Sequence, residues 1–208
     1  MGDYKRIVAS NRNGTLENDM SRNPRFQHHY IARFGEDAYG LARKPRHELA
    51  LHEHSIVRGR NNAIREEICV PHFQERAQDL IAGIQGAGFK FVIYSGAPAA
   101  RSLRFYQDEH GIPIDGAYET EGADRTDPQT FRAVGKLMEP DGYSLKSYLT
   151  HKPEHAIAAE TAWGKALLSQ NQGSDLDEGR HGNIYVFSWE GLDADRIQEI
   201  NAFLRGEL

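Results

Sequence analysis

Apolar residues arrive in short blocks with two different periods. Ile7-Val8-Ala9 lies within Lys5 to Ser10, which predicts a buried strand, and Asn11 to Thr15 predicts the loop at its carboxyl end, where Gly14 permits a sharp turn. Behind Pro71, the residues Phe73, Ala77, Leu80, Ile81 and Ile84 fall at helical spacing, and Gly86 and Gly88 stop that helix. Phe89 to Tyr94 predicts a second strand, and Ser95-Gly96-Ala97-Pro98 turns it into a helix with Pro98 at its first position. Ile114 to Tyr118 reads as a short third strand. From Asp124 to Leu149 the pattern is ambiguous apart from a helix over Pro128 to Met138.

Pro153 to Leu168 reads as one helix striped by Ala156, Ala159, Trp163 and Leu167. Asn183 to Ser188 is a further buried strand, and Ile197, Ile200, Phe203 and Leu204 mark a closing amphipathic helix. Strands alternating with helices predict an α/β fold, a Rossmann-like, mainly parallel sheet with helices on both faces. Ligands favour the carboxyl edge of such sheets. Residues 18–70 break the pattern, being rich in Arg, His, Asn and Glu with only patches of helical periodicity, and predict a polar, mostly helical insertion. The expected division is therefore a core of residues 1–17 and 71–208 interrupted by the insertion.

Composition narrows the partners. The 208 residues, 39% hydrophobic, suffice for a packed interior. Twenty-five Lys+Arg against 30 Asp+Glu leave a formal charge of -5, so no broad attraction for nucleic acid or anionic lipid is expected. No apolar run has the length of a membrane span. Cys69, the only thiol, stands in an apolar context and reads as structural, and without an apolar leader a reducing cytoplasm is the expected location. Gly-rich dinucleotide, P-loop and Gly-x-Ser-x-Gly patterns are missing from the sequence.

Asn11-Arg12-Asn13-Gly14-Thr15-Leu16, directly after the Ile7-Val8-Ala9 strand, resembles the signature of the haloacid dehalogenase-like superfamily, Asp-x-Asp-Gly-Thr-Leu, with both aspartates replaced by amides. The resemblance extends over Lys5 to Leu16, Pro71 to Tyr118 and Lys152 to Leu204. It implies a haloacid dehalogenase-like core with residues 18–70 as a helical cap. In that family the first aspartate attacks phosphorus and the second is the general acid and base. A Ser or Thr and a Lys hold the phosphoryl oxygens, and later acids complete a Mg2+ site.

The amides of Asn11 and Asn13, two residues apart on an extended segment, are expected to face one pocket while Arg12 points elsewhere. A neutral amide is a poor nucleophile and has no titrating proton near neutral pH, so covalent phosphoryl transfer by the usual route is expected to fail. The resemblance places Ser95 and Gly96 in the second motif and Lys152, before Pro153, in the third, with Lys136, Lys146 and Lys165 as rivals. These residues and Arg12 are the ligand-binding candidates. The fourth motif follows Ile184 to Phe187, where Trp189 replaces a carboxylate; Asp193, or Glu190 with Asp195 in a shifted register, are the metal candidates. Asp193 also fits the N-cap of the last helix.

With so few carboxylates, no cofactor is expected, Mg2+ binding only if the site is still competent. The insertion adds His28, His29, His47, His52 and His54, and Glu48 with His52 would share a helix face if that stretch is helical. The expected function is non-hydrolytic binding of a phosphorylated or other anionic small molecule, or an interaction role as a pseudoenzyme; a homo-oligomer is compatible with this. The competing reading is an enzyme, either a metal-dependent phosphohydrolase carrying Asp→Asn substitutions at positions 11 and 13 or an atypical hydrolase using cap residues such as His52 and Glu48.

Overall fold

A computed structural model of the chain describes residues 5–12, 15–17, 24–44, 48–68, 73–96, 98–119, 123–170 and 176–208. Asn13, Gly14, His47, Cys69 and Pro71, singled out above, lie outside the described residues. The chain divides into two compact units, Met1–Leu16 with Gln74–Leu208, and Glu17–Phe73.

In the larger unit, Lys5–Ser10 forms β1, with Ile7, Val8 and Ala9 wholly buried. The other strands are β2 (Phe89–Ser95), β3 (Gly116–Glu119), β4 (Tyr143–Thr150), β5 (Ala166–Gln170), β6 (Gly179–His181) and β7 (Ile184–Ser188). Among the described residues these form one sheet in the order β3-β2-β1-β4-β5-β7-β6. Every pairing is parallel except that of β6 with β7.

Helices cover both faces, as the two-residue strand period shows. Ile7 and Ala9 of β1, Val92 and Tyr94 of β2 and Val186 of β7 pack with Phe131, Val134 and Met138 of α6 (Pro128–Met138) and Ala156 and Ala159 of α7 (Pro153–Trp163). On the opposite face the Tyr185 ring meets Phe203 of α8 (Ala194–Arg205), centroids 5.6 Å apart. Asn201 of α8 donates to the Gly83 carbonyl of α4 (Ala77–Gly86) at 3.1 Å. A continuous apolar strand such as β1 is what a sheet covered on both sides demands.

Several boundaries differ from the periodicity reading, the third strand among them, which starts at Gly116 and not at Ile114. Phe73 lies outside α4 and bridges Glu17. Pro98 is the N-cap of α5 (Ala99–Leu103) instead of its first residue, and the chain continues in wider π-type turns over Arg104–Glu109. The single helix expected over Pro153 to Leu168 is a helix and a strand: Gly164, left-handed at φ 85°, ends α7, and β5 follows. A left-handed residue stops helical hydrogen bonding, and glycine adopts it without steric cost. β4, lying in the span left ambiguous, is the strand beside β1.

The smaller unit contains α1 (Pro24–Phe34), α2 (Glu36–Arg43) and α3 (Leu51–Glu67) around Phe26, Tyr30, Tyr39, Ile64 and Ile68. Glu67 accepts from His29 at 2.7 Å and from Arg33 at 3.0 Å, tying α1 to α3. Glu48 precedes α3, so it and His52 do not share a helix face. No helix among the described residues is long and apolar enough to cross a membrane.

Candidate functional site

The site follows from the position of β1 between β2 and β4. Three parallel strands end side by side, and the polar residues that close them meet at that edge. Asn11 extends β1 by one residue, its amide N–H donating to Leu149 of β4 at 3.0 Å, and it is 9% exposed. Ser95, 5% exposed, ends β2. His151 and Lys152 follow β4, Lys152 as the N-cap of α7 with Pro153 at the first helical position. The Thr15 hydroxyl, fully buried, lies 3.0 Å from His151 Nδ1 and joins the two loops.

One residue not singled out in the sequence dominates the geometry. Arg125 Nη1 donates to Asn11 Oδ1 at 2.9 Å, and the guanidinium carbon lies 4.9 Å from the Tyr94 ring centroid. Arg125 is placed by local chemistry: Asp127 caps α6 by accepting from the Gln129 N–H at 2.9 Å, and Pro128 opens the helix. Its sequence signal is a cation just ahead of a proline-led helix, a pattern that Lys152 before Pro153 shares.

Lys152 and Arg125 bring positive charge to this edge. The His155 imidazole, on the first turn of α7, is held down to about 4 by burial first and then by the charges of Lys152 and Arg125. Burial raises the Tyr148 hydroxyl, and Arg125, near enough to act on it as a charge and as an N–H donor although the pair lacks good hydrogen-bond geometry, offsets part of that rise.

The other candidates are placed as follows. Arg12 turns from the amide side: its guanidinium lies 4.8 Å from the Phe105 ring and 5.5 Å from the Tyr106 ring, and Nη1 is 3.4 Å from Ser102 Oγ. Gly96 is exposed at the turn after β2. Of the rival lysines, Lys165 Nζ donates to the carbonyls of Phe203 and Leu204 at the end of α8, and Lys136 sits in the last turn of α6. Lys146 lies within β4.

Glu190, Asp193 and Asp195 follow β7, which β4 and β5 separate from β1. Three strand spacings, roughly 14 Å, therefore separate the ends of β1 and β7. Asp193 instead caps α8, accepting from the Arg196 N–H at 2.8 Å. Among the described residues no group of three or more His, Cys, Asp and Glu side chains is placed to hold a metal ion.

No family model matches the chain. Among curated proteins, the Myb family transcription factor RLI1 of rice, in both the indica and japonica subspecies, is 28% identical over 114 residues, covering 55% of this chain and 24% of that protein. The chain thus spans about a quarter of the length of these relatives, and the match assigns neither family nor activity. Solved structures align over nearly the whole chain. A protein assigned as a haloacid dehalogenase-like hydrolase from Burkholderia xenovorans superposes with a TM-score of 0.57 at 13% identity, covering 97% of this chain and 99% of that one. A haloacid dehalogenase-like family hydrolase from Xanthomonas campestris gives 0.55 at 14%, covering 99% and 98%. A protein assigned as a β-phosphoglucomutase from Bacteroides vulgatus gives 0.51 at 13%, covering 99% and 90%. Together with the strand order and the parallel register about β1, these likenesses establish that the chain has the haloacid dehalogenase-like α/β fold.

Proposed function

We propose that the protein binds a phosphorylated or otherwise anionic small molecule where β1 and β4 end, and holds it without hydrolysing it. The observation that carries this reading is the bond from Arg125 Nη1 to Asn11 Oδ1. A carboxylate at position 11 would neutralise the guanidinium; the amide orients it and leaves its charge available to an anion. Lys152 and the amino end of α7 add to the same field. An amide in place of a carboxylate supplies no nucleophile for phosphoryl transfer.

The described residues around Asn11 do not fit Mg2+. That ion requires oxygen ligands, usually with one or two carboxylates. Here the Asn11 oxygen already accepts from a guanidinium, and the surroundings are positive enough to help keep His155 neutral. The binding we propose is independent of metal.

The test combines a thermal shift with inorganic phosphate and an assay of aryl phosphate turnover in Mg2+. The expected result is a raised melting temperature, unchanged by Mg2+, with no turnover. Turnover by the unaltered chain would end the non-hydrolytic reading. Turnover only after Asn11→Asp with Asn13→Asp would instead mark loss of an ancestral activity at an otherwise intact site.

A further inference from the structure

Tyr94 Oη, Tyr148 Oη, Arg125 Nε and His155 Nδ1 are buried and lack hydrogen-bond partners among the described residues. They belong to one neighbourhood. The Tyr94 and Tyr148 rings, both 0% exposed, are 5.7 Å apart, and Arg125 lies over the first and near the hydroxyl of the second. His155 is close enough to Arg125 to feel its charge. Two other phenols of this unit are satisfied: Tyr185 donates to Glu199 at 2.6 Å and Tyr118 to Asp141 at 2.7 Å. Native interiors keep few unpaired buried donors because each is costly. A set gathered about one guanidinium has the chemistry of an oxyanion receptor, two O–H donors and an N–H donor beside a fixed positive charge.

We infer that Tyr94 Oη, Tyr148 Oη and Arg125 Nε form an oxyanion-binding cluster that anchors the ligand, and that His155 beside it couples occupancy to uptake of a proton. This rests on the anion-binding reading above and names the residues that perform it. The groups facing His155 are Lys152 and Glu154 at the start of α7, His151 in the loop before it, and Arg125 and Asp124 in the loop before α6. The cationic members oppose its protonation. A bound anion offsets them, the imidazole then takes up a proton more readily, and affinity rises as pH falls from about 8 to about 5.5.

Sulfate is the appropriate probe, since it keeps its charge across that range and the pH response then belongs to the protein. Calorimetric titration of the full chain with sulfate and with phosphate is expected to show about tenfold weaker binding in Tyr94→Phe and in Tyr148→Phe. Both variants are expected to melt no lower than the parent, because the deleted hydroxyl has no partner in the free protein. His155→Gln is expected to flatten the pH dependence for sulfate. Phenylalanine variants that bind both anions like the parent would overturn the cluster while leaving anion binding itself intact. A lowered melting temperature in both would show that the hydroxyls are paired internally and would equally overturn it. A pH response unchanged in His155→Gln would remove the proton coupling, and a parent that binds neither anion would dispose of both readings.

Discussion

Arg125 Nη1 meets Asn11 Oδ1 at 2.9 Å, so a guanidinium from the loop before α6 is held by a neutral amide at the end of the central strand. Replacing that amide with a carboxylate turns a charged-to-neutral hydrogen bond into an ion pair. Asn11→Asp is therefore expected to stabilise the free protein by about 1 kcal/mol and to weaken phosphate binding, because the charge that would serve the ligand is consumed. Arg125→Gln should weaken binding as well. Urea melts with phosphate titrations check both, and an Asn11→Asp protein that binds phosphate more tightly would contradict the assigned role of the amide.

The His155 imidazole sets a direction for stability against pH. Its folded value of about 4 lies below the ordinary histidine value of about 6.5, so the unfolded chain binds more protons between them. The stability tied to this group is fully present above about pH 6.5 and is lost as pH falls towards about 4. Denaturation curves at several pH values should show this slope in the parent and a shallower one in His155→Gln. Equal slopes would mean that the imidazole is not held neutral.

Asp193 should behave as a helix cap. Its carboxylate accepts from the Arg196 N–H at 2.8 Å, and Asp193→Ala is expected to cost about 1 kcal/mol. Phosphate affinity should stay at the parent value, since the end of β7 is roughly three strand spacings, about 14 Å, from that of β1. Loss of phosphate or metal binding in this variant would revive the acidic trio after β7 as ligands.

Gly83 permits the approach of α8 to α4. A β-carbon there would collide with Ile197 Cγ2, while the Gly83 carbonyl accepts from Asn201 Nδ2 at 3.1 Å. Gly83→Ala should destabilise by about 1–3 kcal/mol despite its better helix propensity. A variant as stable as the parent in urea would show that α8 shifts without cost.

Legibility followed how completely each strand is wrapped by apolar neighbours. β1, β2 and β7 are dense in aliphatic and aromatic residues because both of their faces are covered, and that density marks them without reference to the rest of the chain. β4 is as central, yet Ser147 and Thr150 are buried in it, so neither a continuous apolar run nor a clean alternation announces it. β5 merges with the preceding helix in the sequence because Ala166, Leu167 and Leu168 resume its apolar pattern after only two residues, Gly164 and Lys165.

The local pattern was enough for the alternation of strands and helices, for the turn at Asn11, and for the recognition that amides stand in a motif of acids, since each depends on residues adjacent along the chain. Which cation answers Asn11 depends on strand order, a property of long-range pairing. Once β4 and not β7 lies beside β1, the acids after β7 are carried away and His151, Lys152 and His155 are brought to the edge. The loop before α6 then delivers Arg125 across 114 residues of sequence to within a hydrogen bond of Asn11. The hydroxyls of Tyr94 and Tyr148, indistinguishable in the sequence from ordinary core phenols, acquire meaning only because folding buries them beside that guanidinium.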